Sequence, residues 1–170
     1  GPIAIVDLET TGLPNDPAAR ILEFGAVLIG PGPGPARCIS TLVNPGVPVP
    51  PAIARLTGIT DAMCEGAPTL DQEQERLRAA LFGRTLVAHN AEFERHFLSR
   101  WIGGELASAR YLDTQDLLAV THPYSPDLRL ESFTRALLGT QERHRALDDA
   151  ADTLRVVAAI ASEARSGTHR

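Results

Sequence analysis

Residues 3–13 read Ile-Ala-Ile-Val-Asp-Leu-Glu-Thr-Thr-Gly-Leu, and this stretch limits what the chain can become more than any other. The run Ile3-Ala4-Ile5-Val6 is short, apolar and largely β-branched, which predicts a buried strand. Asp7 and Glu9 follow with one residue between them. Strand side chains alternate, so both carboxyl groups point to the same face. Neighbouring carboxylates repel, and each loses hydration on burial. A core strand tolerates such a pair at its end when a divalent cation neutralises it, because hard cations such as Mg²⁺ prefer oxygen ligands. Asp7 and Glu9 are therefore read as the first half of a cage whose other ligands come from elsewhere in the chain.

The remaining periodicities predict what surrounds that strand. Arg20-Ile-Leu-Glu-Phe-Gly-Ala-Val-Leu-Ile29 reads as a second strand. The Gly-Pro repeat at 30–35 breaks it, and the third strand starting at Arg37 completes a hairpin. The Pro-rich segment from Val47 to Thr60 predicts a loop with a short helical turn, and Asp61 is the expected cap of another. Thr69 or Asp71 can start a helix through Ala80, with Leu70, Leu77 and Leu81 on one side. A fourth strand is expected over 85–90, then a helix whose apolar face carries Phe93, Phe97 and Trp101 at i, i+4, i+8. A fifth strand near 109–114 precedes helices near 114–120 and 128–138. A long last helix over 146–164 carries a stripe of Leu147, Leu154, Val157 and Ile160. Three strands followed by alternating helix and strand predict an α/β fold: a mixed sheet with an antiparallel hairpin at one edge and parallel strands beside it, covered by helices. Sites in such sheets form at the carboxyl ends of strands. Asp7, Glu9, His89, Asn90 and Asp113 all fall at such ends.

With 170 residues the chain is long enough for one domain with a real core, expected over 3–165. Gly1-Pro2 reads as the scar of a cleaved tag, and 166–170 as a disordered tail. No apolar run approaches a membrane span. Cys38 and Cys64 are expected to be reduced and partly buried, as in a cytosolic protein. Every basic side chain is arginine, and the net charge is −5. That balance argues against a module holding nucleic acid through a broad basic surface, but not against an enzyme that meets phosphate through bound cations.

Two later segments extend the acidic pattern. Val87-Ala-His-Asn-Ala-Glu-Phe-Glu94 sets Glu94 one turn into the helix after strand four, and His144-Arg-Ala-Leu-Asp-Asp149 sets a histidine five residues before an acid. Together with Asp7-Leu8-Glu9-Thr10-Thr11-Gly12, these resemble the three motifs of the DEDDh, DnaQ-like family of 3′–5′ exonucleases. The closest likeness is to the proofreading domains of bacterial replicative polymerases. The likeness covers about residues 3–160, including Asn44-Pro45 and Leu56-Thr57-Gly58-Ile59. It implies an RNase H-like fold with a central five-stranded mixed sheet. It implies two divalent cations, Mg²⁺ or Mn²⁺, held by Asp7, Glu9, Glu94 and Asp149, with His144 as general base. By match, Thr10, Leu13, Leu56, Thr57, His89, Asn90 and Phe93 would contact the terminal nucleotide. The implied substrate is a single-stranded or frayed 3′ DNA end, with RNA or very short oligonucleotides as the alternative within the same fold. The implied setting is the bacterial cytosol or nucleoid, with polymerase or helicase partners outside this chain. One departure stands out: the second motif normally ends in Asp where this chain has Glu94, which moves the carboxylate out by about 1.5 Å.

Each residue also has a plainer reading. Phe93, Phe97 and Trp101 form an ordinary core stripe; Asn90 is a good N-cap; Asp148 and Asp149 suit a helix N-terminus, and Asp148 and Asp152 are assigned to a solvated face. Asp113 is expected to tie strand five to a neighbouring loop. Arg95, Arg100, Arg143 and Arg145 are assigned to solvated helix faces, with phosphate contact as the alternative. Glu94 leaves one rival function, a nucleic-acid-binding module with weakened chemistry.

Overall fold

A computed structural model describes residues 1–141 and 143–166, and the expected tail lies outside them beyond Ser166. Five strands form one sheet in the order β3-β2-β1-β4-β5. They are β1 (Ile3–Thr10), β2 (Ile21–Ile29), β3 (Arg37–Leu42), β4 (Thr85–Ala88) and β5 (Tyr111–Asp113). β1 to β3 are antiparallel, whereas β4 and β5 run parallel to β1, as the element order predicts. The helices are α1 (Pro51–Thr57), α2 (Asp61–Glu65), α3 (Leu70–Leu81), α4 (Ala91–Trp101), α5 (Thr114–Thr121), α6 (Leu130–Phe133) and α7 (Ala146–Ser166). α6 continues as a π-helical turn over Thr134–Leu138, and a 3₁₀ turn spans Gly104–Ser108.

Period-two alternation divides β1 between two cores. Ala4, Val6 and Leu8 join Phe24, Ala26, Leu77, Leu86, Phe97 and Leu98 under α3 and α4. Ile5 joins Val27, Val87 and Ala150 under α7, with Leu147 and Leu154 packed against them. Asp7 and Glu9 continue the Ile5 side, so the strand aims both acids at α7.

α7 lies unusually close to β2. A Cβ on Gly25 would sit 2.1 Å from the Ala146 carbonyl carbon, so only glycine allows this approach. Gly25 pairs with Asp7 across the ladder, and Glu23 with Glu9. The sheet face beneath the start of α7 is therefore Asp7, Glu9, Gly25 and Glu23.

Several local expectations need correcting. Thr60 caps α2, while Asp61 instead accepts from the Val49 amide at 2.8 Å. Asp152 is buried and paired with Arg155 at 2.8 Å rather than lying on a solvated face. Arg95 stacks over Tyr111 and Arg100 over Trp101, so both guanidinium groups cover aromatic rings. Cys38 is exposed and only Cys64 is buried.

Candidate active site

Asp7 and Glu9 come from the end of β1 and Asp149 from the first turn of α7. One carboxylate oxygen from each lies within 4.8 Å of the others. Asp149 is only 2 % exposed, whereas Asp7 and Glu9 are half-buried. Along α7, Asp149 shares its inward stripe with Ala146, Ala150 and Thr153, all buried. The spacing i, i+3, i+4, i+7 turns a helix face toward the sheet, and here that face carries an acid.

Glu94 is 2 % exposed in the first turn of α4. Burial pushes its carboxyl well above the usual range, and the charges of Asp113 and Glu9 push the same way. Its Oε2 has no hydrogen-bond partner among the described residues. An orphaned, buried carboxylate oxygen next to a three-acid cluster is what an oxygen-coordinated cation would satisfy. The donor set of Asp7, Glu9 and Asp149 therefore fits a divalent metal, whereas Glu94 feels the charge of Glu9 but is not among the acids whose oxygens meet within 4.8 Å.

Asp113 holds α4 in place. Its Oδ2 accepts from the Ala91 amide at 2.8 Å, and its Oδ1 accepts from Asn90 at 3.1 Å and Gln115 at 2.8 Å. One carboxylate thus satisfies orphan amides at the start of two helices. Asn90, which sequence suggests as the cap, instead adopts left-handed backbone at φ 71° with no side-chain cap bond. Ala88 and Asp113 are partners in the parallel ladder, which puts the carboxylate beside the β4–α4 turn. The predicted tie from strand five to a neighbouring loop is this contact.

His89 places Nδ1 2.9 Å from the Thr114 hydroxyl. Burial holds its imidazole below the usual range, against the opposing pull of the Leu128 carbonyl and Asp113. Thr10 donates to the Gly12 carbonyl at 2.7 Å, which tightens the turn after β1. Leu13, Asn90 and Phe93 line one open cleft of about 540 Å³ with Pro14, Asn15, Glu92 and His96. Leu13 is 65 % exposed, and Leu56 is also exposed on α1. Thr57 is buried, its hydroxyl bonded to Ile53 and Ile59 of its own segment. α1 contributes nothing to the cleft that holds Leu13 and Phe93.

His144 is half-buried in the segment before α7, with φ 51°. Glu23 and Arg145, neither flagged by the motifs, hold the next turn. Glu23 is 2 % exposed, accepts from Arg145 Nε at 3.0 Å and Nη2, and accepts from the Ala146 amide at 2.9 Å. Arg145 is thus an ion-pair partner rather than part of a solvated face. A single acid within the apolar run of strand two was the available signal for Glu23.

The family model described as "Exonuclease", RNase T type, matches residues 4–157. The chain belongs to this exonuclease family. It is 36 % identical over 155 residues to a DNA polymerase III subunit epsilon-like protein of Rhodobacter capsulatus, covering 88 % of this chain and 22 % of that protein. It is 32 % identical over 158 residues to a PolC-type DNA polymerase III of Clostridium perfringens, covering 90 % of this chain and 11 % of that protein. The exonuclease chain thus spans about a quarter or less of these relatives. Among solved structures, exonuclease X in complex with 5′ overhanging duplex DNA matches with TM-score 0.72 and 25 % identity, covering 98 % of this chain and 93 % of that one. The nuclease domain of 3′hExo, described as a DEDDh family member bound to rAMP, shares the fold with TM-score 0.74 at 19 % identity, covering 95 % and 92 % of the two chains. The sheet order and helical layers are those of the RNase H-like exonucleases, and the chain is a 3′–5′ exonuclease domain. The family implies dependence on a divalent metal, in keeping with the acidic cluster.

Proposed function

We propose that the domain removes nucleotides stepwise from the 3′ end of single-stranded or frayed DNA, releasing nucleoside 5′-monophosphates. The observation that carries this reading is the convergence of Asp7, Glu9 and Asp149 from two elements, with buried Glu94 near enough to feel the charge of Glu9. Asp7, Glu9 and Asp149 would hold one divalent cation, and Asp7 with Glu94 a second; oxygen-only ligands suit Mg²⁺ or Mn²⁺. Bound there, the ions supply charge neutralisation at the phosphate and acidify an attacking water.

The chain's own residues do the rest. His144 accepts the proton of the attacking water, since imidazole is the side chain most often used as a general base. Leu13 and Phe93 offer apolar contact to the terminal base and sugar, which tolerates any base. Leu13 is large and exposed, which supports a role in contact. Asn90 lines the same cleft and Thr10 and His89 flank it, whereas Leu56 and Thr57 on α1 lie outside it. DNA is favoured over RNA by the polymerase relatives and the DNA-bound exonuclease X. The polymerase names of two relatives support work beside a polymerase; a helicase partner and the bacterial cytosol or nucleoid are part of the same proposal.

A nuclease assay on matched, 5′-labelled DNA and RNA single strands tests this. With Mg²⁺ or Mn²⁺ the DNA should shorten one nucleotide at a time and chelator should stop it. Asp7→Ala should abolish turnover, His144→Ala should lower it about 10²–10⁴-fold, and Glu94→Asp should retain it. Digestion of RNA alone would move the substrate to the alternative. Binding without digestion would make the domain a binding module.

A further inference from the structure

His144 needs support that its own sequence does not supply. Its backbone is left-handed at φ 51°, a region that non-glycine residues enter rarely and keep only when their surroundings hold them there. The next residue, Arg145, reaches a carboxylate 122 positions earlier in the chain, through Nε at 3.0 Å and through Nη2. The same Glu23 carboxylate accepts the Ala146 amide at 2.9 Å. The Arg145 carbonyl in turn accepts from the Asp149 amide at 2.9 Å. Glu23 stands beside Glu9 in the ladder, and Gly25, one step along the same face, lets α7 touch the strand.

We propose that Glu23 and Arg145 are positioning residues that pin the segment carrying His144 against β2 and set the imidazole for its work. The proposal rests on the reading of His144 as general base. Two features favour a pin over an incidental surface pair. Glu23 is buried, so its charge must be matched where it stands, and the match comes from a side chain and an amide flanking the same turn. Arg145, too, is charged whatever the pH, and its planar fork fixes direction as well as distance. Neither residue needs to touch substrate.

The test uses the full chain with a 5′-labelled single strand and Mn²⁺. Glu23→Gln keeps the shape but turns an amide toward the guanidinium; Arg145→Lys keeps the charge but loses the fork. Each should lower kcat about 10–100-fold, the usual range when a supporting partner is removed, with KM within about twofold. In a His144→Ala background the same substitutions should change the residual rate less than about twofold, because the group they orient is gone. Amide hydrogen exchange on metal-free Glu23→Gln should show lost protection at 145–147 with β1 and β2 unchanged. If Glu23→Gln does not fold, Arg145→Lys carries the test. Unchanged kcat in both variants overturns the proposal, as does an equal loss in the His144→Ala background, which would mark a general structural role. Full activity in His144→Ala alone would instead sink the base reading and, with it, the catalytic sense of the pin; exchange would then decide whether the pin exists.

Discussion

At the scale of single residues, Glu94 concentrates the electrostatic problem of the site. It is buried beside Glu9 and Asp113, and its carboxyl is held well above its ordinary range by burial first and by those charges second. A carboxyl raised in the folded state favours the fold while protonated. That contribution is complete below an unfolded value of about 4.3 and is lost as pH rises through the folded value. The metal-free protein should therefore lose stability from acid toward neutral pH through this group. Glu94→Gln should flatten that slope and raise the melting temperature at pH 8, by about 2–4 °C per kcal/mol gained in a chain of this size. Thermal melts without metal from pH 4 to 8 check this. A variant no more stable than the parent at pH 8 would mean that the carboxyl carries no ionisation penalty. If Glu94 is a ligand of the second cation, as proposed, the variant should also gain less stability from added Mn²⁺ than the parent.

At the scale of elements, the site is assembled by contacts between segments distant in sequence. Asp113 at the end of β5 caps α4 and α5 together, and α4 carries Glu94 in its first turn. Asp113→Ala should cost about 2 kcal/mol, the sum of two ordinary caps, and should lower activity beyond the loss of folded protein because Glu94 shifts. Urea denaturation and kcat on the same sample separate the two effects; stability lost with kcat intact would leave Asp113 a cap and nothing more. This level also separates what sequence discloses from what it hides. Alternation in Ile3–Glu9 is a local property, so the shared face of Asp7 and Glu9 was legible in advance. The order of strands and helices likewise implied the mixed sheet. Asn90 looked like a cap, but the parallel ladder brings a better acceptor, Asp113, to the same amides. Asp152 looked like a solvated acid because the stripe of Leu147, Leu154 and Val157 points to a neighbouring arc of α7, whereas the buried arc also takes in Asp149, Asp152 and Val156. Glu23 and Arg145 find each other only once β2 and α7 are docked, and no short-range pattern encodes that.

At the scale of the whole molecule, the fold supplies two supports that meet at a seam. The sheet presents Asp7 and Glu9 at the end of β1; α7 brings Asp149 down onto them because Gly25 leaves no side chain in its way. α4, which packs on the opposite face of the sheet from α7, carries buried Glu94 in its first turn. A chain with net charge −5 that gathers more acids in one place invites cations before it invites a polyanion. The most direct test is an anomalous difference map from crystals soaked in Mn²⁺. The account predicts manganese within about 2.0–2.4 Å of carboxylate oxygens from Asp7, Glu9 and Asp149, with Glu94 facing the same density. Manganese bound elsewhere, or none at this cluster in crystals of protein that still digests DNA ends, would contradict it.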